Sequence, residues 1–334
     1  YSQETLRRLY VGREGDRLRP ATLHLLKRVF NSRSGIDERA LACAEPTALV
    51  EEDRDAVHER YRTNAVALAA EALRDALERA GRGAADLGAL VCCTCTGYLC
   101  PGLTSYLAGA LGLRADLVYF DLVGMGCAGA VPGLRLASAT AAENGLTALV
   151  AVEVCSATAV FDDDPEMIVS NGIFADGAAA ALVDHDVPAA LELCDFASVL
   201  RPEHRDRLRF TQRRGRMRNR LDRDVPRLAG QAAREVVENL LARNAAGREP
   251  IRHWVVHPGG RAVLEEVGRA LGLTPDRLAD SYAVLRACGN MSSPSVLFVL
   301  RSLLGRDGAQ PGEHGVCLSF GAGFTAQAAL FRVR

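Results

Sequence analysis

The chain of 334 residues holds one lysine, Lys27, one tryptophan, Trp254, and few aromatic residues of any kind (5%). Its basic side chains are therefore almost all arginines, a matter of composition with no functional weight. An excess of one charge is also lacking: 40 basic against 41 acidic side chains leave a net charge of −1, which removes bulk electrostatic attraction to nucleic acid or an anionic membrane. Partners must be sought in sites. No apolar run reaches the roughly 18 residues that span a bilayer, and the first residues lack the charged, apolar and small-residue zones of a secretory leader. A soluble cytoplasmic protein is expected, with neither nucleic acid nor membrane as a partner. The ten cysteines do not form two paired sets at metal-ligand spacing. Cys92, Cys93, Cys95 and Cys100 are a single group, so no metal is expected, and apolar, strand-like surroundings suit free buried thiols in a reducing compartment.

What is present is a core-forming composition. Nearly half of the residues are apolar (49%), enough for two domains or one large α/β unit. The stretch through Arg82 reads as helical, with an apolar face at Val66, Leu68, Ala69, Leu73 and Leu77 and a stop at Gly81. LGALVCCTCTG is then a short buried strand, followed by a helix over Leu103–Leu111. The same order returns later in the chain. A helix, the strand 90–94, Gly97, ALGLRADL and GMGC correspond to a helix, the strand His253–Val256, Gly260, ALGLTPDRL and ACGN. Gly126-Cys127 and Gly289-Asn290 lie 163 residues apart and the two Leu-Gly-Leu turns 160 apart. Cys127 and Asn290 are thus expected at equivalent corners of two duplicated halves, 1–188 and 189–334, the alternative being chance likeness of two βα units. The arginine-dense run RPEHRDRLRFTQRRGRMRNRLDRDVPR reads as a solvated loop or hairpin, or as a rim that meets ligand phosphates.

Three residues can carry chemistry. Cys127 sits in DLVGMGCAGAVPGLRLASATA, where a strand runs through small residues into a helix. A thiol near a helix N-terminus favours its thiolate, and Gly124, Gly126, Ala128 and Gly129 leave room for close approach of a substrate. The plain alternative is a small residue packed at a tight corner. Met125 two residues earlier argues against a hydrolase-type elbow, as does a histidine that precedes any acid. His257 closes the strand HWVV and opens HPGG, where Pro258, Gly259 and Gly260 force a turn that holds the imidazole at a strand end, or that it merely caps. Asn290, in CGNMSSPSV, offers an amide that can donate to an oxyanion without adding charge.

Together Cys127, His257 and Asn290 resemble the Cys-His-Asn triad of the chalcone synthase family, the type III polyketide synthases. The likeness runs through CTCTGYLCPG, GMGCAGAVPGL, NGIFADGAAAAL, DVP, HWVVHPGG, CGNMSSPSVLF and Phe320-Gly321-Ala322-Gly323, nearly the whole chain. Ketosynthase III enzymes share the triad but show His-Gln-Ala-Asn and Gly-Asn-Thr-Ser where this chain has HPGG and GNMSS. The resemblance implies an α/β, thiolase-like layered αβαβα fold built from two duplicated halves, a homodimer, and iterative decarboxylative condensation of malonyl-CoA onto an acyl-CoA starter. Cys127 would hold the acyl group. His257 and Asn290 would stabilise the enolate, with His257 as an imidazolium lowering the Cys127 pKa, and cyclisation would give a small aromatic or pyrone-type polyketide. Coenzyme A thioesters are the substrates, and no cofactor is implied.

The resemblance also assigns a cavity. Phe174 in IFADG matches a gating phenylalanine, and counting back from Asp224-Val225-Pro226 puts the second gate at Asn219. Cys95, Thr96, Glu153, Cys155, Thr158 and Ser292 match cavity positions, and Cys100 a residue that reaches across the dimer. Lys27, Arg28, Arg33 and Arg39 in LLKRVFNSRSGIDER match the basic stretch that binds CoA phosphates. The apolar strand that opens the family's fold has no match in a sequence that begins at Tyr1. The rival readings are a single-round ketosynthase III-like acyltransferase and a catalytically silent thiolase-fold binding partner.

Overall fold

The computed structural model describes residues 1–50, 53–244, 250–305 and 309–334. Two helices, α1 (Gln3–Glu14) and α2 (Pro20–Val29), open the chain, and the long α3 (Arg54–Arg79) follows. The first sheet is built from β1 (Ala89–Thr94), β2 (Val118–Val123), β3 (Thr147–Val154) and β4 (Asp176–Val183), with α4 (Leu103–Leu111), α5 (Ala130–Asn144) and α6 (Pro165–Ile173) between them. After β5 (Leu191–Leu200) come a hairpin of β6 (Leu208–Arg213) and β7 (Arg216–Leu221), then α7 (Val225–Ala242) and β8 (His253–Val256). Helices α8 (Arg261–Leu271), α9 (Ala279–Cys288) and α10 (Ser295–Leu304) lead to β9 (His314–Gly321) and β10 (Thr325–Val333). Among the described residues no helix is long and apolar enough to cross a membrane.

The first sheet has the order β2-β1-β3-β4 and the second β5-β10-β9-β8. Each contains a parallel pair joined to an antiparallel strand, β1–β3 with β4 and β8–β9 with β10. This is the duplication that the sequence pattern pointed to.

Burial on both faces explains why the central strands read as continuous apolar runs. Alternation along each strand sorts the side chains into layers. Leu90, Cys92, Val150 and Val152 pack with α3 and α4 outside, whereas Val91, Cys93, Leu149 and Ala151 face a central layer of α5 and α10. From the second sheet Val255, Cys317 and Ala329 face that same central layer, and Val256, Val316 and Leu318 face α7 and α8. The result is thiolase-like αβαβα layering. Cys92 and Cys93, adjacent in sequence, lie on opposite faces of β1.

The helix face expected in α3 is present, with Ala69, Leu73 and Leu77 buried and Val66 and Leu68 half-buried. Leu6, Tyr10, Leu26 and Phe30 of the opening helices form a separate cluster against Ile168 of α6. At the sheet edges, β10 is flanked by β5, but β4 has no outer strand among the described residues. The opposite edge, β2, exposes Tyr119 and Val123 at 64% and 54%.

Candidate active site

Beyond β2 the chain turns through Gly124 and Gly126, both at positive φ (81° and 57°), and a 3-10 turn over Gly126–Ala128 feeds α5. This is the strand-to-helix corner expected around Cys127. The second half of the chain holds it. Ser319 of β9 donates to the Ala128 carbonyl at 3.2 Å, and a Cβ on Gly321 would lie 2.2 Å from the Met125 carbonyl oxygen. Only glycine at 321 lets β9 lie against the Cys127 turn. Cys127 is itself nearly buried and opens onto a cavity of about 340 Å³.

Asn290 precedes α10 as Cys127 precedes α5. Its backbone exchanges hydrogen bonds with the segment after α6: Asn290 N donates to the Ile173 carbonyl at 2.9 Å, and Ala175 N to the Asn290 carbonyl at 2.8 Å. The side chain is equally constrained. Oδ1 accepts from Ser292 N at 2.8 Å and Nδ2 donates to the Gly259 carbonyl at 3.2 Å, on the turn that carries His257. Ser292 and Asn290 both act on the Cys127 thiol, each lowering its pKa through hydrogen bonding. His257 is held by its backbone, N donating to the Leu318 carbonyl at 2.8 Å, while neither ring nitrogen has a partner among the described residues.

Burial governs the electrostatics of the pair. Burial pushes the Cys127 thiol up to about 12, against the pull of the Ser292 and Asn290 hydrogen bonds and with the added push of the Glu153 charge. Burial alone pulls the His257 imidazole down to about 3. Burial thus works against both the thiolate and the imidazolium that the resemblance implies. Dehydration disfavours both ions, and no opposite charge compensates either.

Cys95, Thr96, Cys155, Thr158, Phe174, Asn219 and Ser292 all line the cavity, as expected. Glu153 does not; it is fully buried behind the wall. Its carboxyl accepts from Cys95 N at 2.9 Å, Thr96 N at 3.1 Å, Thr96 Oγ1 at 2.8 Å and Ser293 Oγ at 2.7 Å. Burial raises its pKa while these donors lower it. Cys100 is exposed and is not part of this chain's own cavity wall.

The arginine-dense run is a hairpin, but not a merely solvated one. Leu208, Phe210 and Met217 add apolar wall to the cavity beside Asn219. These were missed, although their period of two among the arginines was readable. The hairpin is fastened by Arg218, which pairs with Asp162 at 2.7 Å and Asp164 at 3.1 Å, and by Arg216, which donates to the Ala159 carbonyl at 2.8 Å.

Of the four basic residues expected to meet CoA phosphates, Arg39 is excluded by its position. It is 4% exposed, donates from Nε to Gln3 at 3.1 Å and from Nη1 to the Phe174 carbonyl at 2.8 Å, and lies over the Phe30 ring. Burial lowers its pKa to about 9, with Asp176 acting in the other direction. Lys27, Arg28 and Arg33 are exposed. Arg261, which sequence reasoning missed, donates to the Arg33 carbonyl at 3.2 Å and so ties that turn to the start of α8, just past His257.

Residues 198–333 match the model of the C-terminal domain of chalcone and stilbene synthases, and residues 4–244 that of FAE1/type III polyketide synthase-like proteins. The 3,5-dihydroxyphenylacetyl-CoA synthase of Streptomyces toyocaensis is 36% identical over 292 residues, which cover 84% of this chain and 75% of that protein. The 1,3,6,8-tetrahydroxynaphthalene synthase of Streptomyces peucetius subsp. caesius is 34% identical over 323 residues, 94% of this chain and 85% of the relative. Among solved structures, PKS-I from the brown alga Ectocarpus siliculosus has a TM-score of 0.89 at 28% identity, covering 100% of this chain and 94% of that one. The 1,3,6,8-tetrahydroxynaphthalene synthase from Streptomyces coelicolor A3(2) shares the fold with a TM-score of 0.92 at 24% identity, over 100% and 95% of the two chains.

Proposed function

Because the chain belongs to the chalcone and stilbene synthase family of type III polyketide synthases, we propose that it condenses malonyl-CoA units iteratively onto an acyl-CoA starter carried by Cys127 and closes the product to a small aromatic or pyrone-type polyketide. One observation carries this reading. Cys127 opens onto the cavity, the Asn290 amide lowers its thiol pKa by hydrogen bonding from behind the wall, and that same amide holds the turn of His257, whose ring nitrogens no protein group engages among the described residues.

As sulfur attacks the starter carbonyl, the thiol proton passes to His257; the CoA thiolate leaves and takes that proton from His257, and the acyl group stays on Cys127. Malonyl-CoA then loses CO2. The electron pair of the broken C–C bond moves into the thioester, and the resulting enolate oxygen is received by N–H donors of His257 and Asn290. Its carbon attacks the acyl carbonyl, the new C–C bond forms and the Cys127 thiolate leaves. The lengthened chain, now on coenzyme A, returns to Cys127 for the next round. No atom is oxidised or reduced across the C–C bond-forming step in a way that requires a redox cofactor.

Lys27, Arg28 and Arg33, without acidic partners among the described residues, are assigned to the CoA phosphates. The halves 1–188 and 189–334 are taken as the two domains, supported by the division of the strands between the sheets. A homodimer is supported by the exposed apolar edge of β2, Tyr119, Phe120 and Val123, with Tyr98 after β1. It would give the exposed Cys100 a place against the partner's cavity. Given malonyl-CoA and a starter, the protein should release CO2 and yield products longer than the starter by more than one extension, read by mass spectrometry. A single extension would favour the ketosynthase III-like alternative, and no CO2 would remove the condensation reading.

A further inference from the structure

Most polar groups on the cavity wall already have partners. Thr96 Oγ1 donates to Glu153 at 2.8 Å and accepts from Val154 N at 2.9 Å, Thr158 donates to the Cys155 carbonyl at 2.8 Å, and Ser292 donates to Glu153 at 3.3 Å. Arg209 pairs with Asp206 at 3.1 Å. Asn219 is different. It stands on β7 directly opposite Phe210, lines the cavity and is only 7% exposed, yet its amide has no hydrogen-bond partner among the described residues. The amide lines the open space of the cavity with its hydrogen-bonding capacity unspent, so a polar atom of a ligand there can take it up. Its apolar neighbours on the hairpin, Phe210 and Met217, cannot satisfy it.

We propose that Asn219 is a specificity-determining residue whose amide N–H donates to a ketone oxygen of the acyl chain in this cavity. The site thereby takes β-oxygenated acyl chains in preference to plain alkyl ones. A chain grown from malonyl units carries an oxygen on every second carbon, so one of them meets the hairpin wall while the rest of the chain packs on Phe210 and Phe174. An alkyl chain along the same wall leaves the amide unpaired. A site with a polar group built in rejects the analogue that lacks the matching oxygen far more strongly than an apolar pocket rejects an added one.

The inference rests on the polyketide reading for the identity of the chain, and it is tested without turnover. In Cys127→Ala protein, binding of 3-oxohexanoyl-CoA and hexanoyl-CoA is compared by calorimetry. The oxygenated ligand should bind about tenfold more tightly or better, and adding Asn219→Leu or Asn219→Asp should bring the ratio to within about twofold. Asn219→Asp keeps the side chain's size while removing the N–H donor, so it serves if the leucine variant fails to fold; thermal melts establish which variants are read. A parent without preference, or a preference that survives both substitutions in folded protein, overturns the assignment. Release of CO2 from malonyl-CoA by the unsubstituted protein reports separately on the polyketide reading, so the two failures are distinguishable.

Discussion

Phe174 and Asn290 are the two partners of an isolated parallel β-bridge. A wall residue from the first half and the amide from the second are thereby one unit, and Arg39 fixes that unit from behind through the Phe174 carbonyl at 2.8 Å. Arg39→Met should therefore act on stability. Loss of the buried donor leaves the Phe174 carbonyl and Gln3 unpaired, which should cost ~2–4 kcal/mol in denaturant unfolding. Arg33→Ala should leave the unfolding midpoint alone and raise KM for CoA thioesters severalfold, on the order of one exposed ion pair. The opposite pattern would return Arg39 to the CoA site.

His257 makes stability depend on pH in a defined direction. Its folded value of about 3 lies below the ordinary imidazole value of 6.5, so between these limits the folded protein binds fewer protons than the unfolded chain. The stability it contributes is fully present above pH 6.5 and is lost as pH falls toward 3, at up to ~1.4 kcal/mol per pH unit. Urea melts across this window should show a shallower decline in His257→Gln than in the parent. Equal slopes would mean that the ring is hydrated or ion-paired.

Glu153 gathers donors from β1, from the loop after it and from the segment before α10, and its replacements should separate sharply. Glu153→Gln keeps acceptor oxygen for the Cys95 and Thr96 amides and should fold. Glu153→Leu leaves both amides and Ser293 unpaired and should be less stable than the glutamine variant by ~3–5 kcal/mol. Because burial raises the Glu153 pKa, its contribution falls as pH rises through the raised value, so the gap between parent and glutamine variant should narrow with rising pH.

The β2 edge should behave as an interface. Charges at Tyr119 and Val123, as Tyr119→Asp with Val123→Lys, should shift the protein from dimer to monomer in sedimentation without lowering the helical content seen by circular dichroism. A dimer that persists unchanged would place the contact elsewhere.

Local order was the most readable feature. The helix Leu103–Leu111 and the strand His253–Val256 have the boundaries that their apolar runs and glycine stops imply. The corner at Cys127 was equally legible, since only small residues pass between β9 and α5. What escaped was sidedness across long sequence separations. Arg39 lies in a basic stretch, and nothing local distinguishes it from Arg33; only the fold brings Gln3 and Phe174 around it. Glu153 sits in a strand buried on both faces, so its position behind the cavity depends on partners from three other segments. The density of arginine in 201–227 hid the apolar alternation of Leu208, Phe210 and Met217. The helix N-terminus beside Cys127 is a sequence feature, whereas the burial that pushes the Cys127 thiol up and the His257 imidazole down is set by the whole enclosure.

The covalent role of Cys127 is the claim on which the account turns, and intact-protein mass spectrometry after brief exposure to a starter acyl-CoA tests it most directly. The account predicts one acyl group per chain, mapped by proteolysis to Cys127 and absent from Cys127→Ala. Acylation that persists in that variant, or that maps to Cys95 or Cys155 instead, would contradict it.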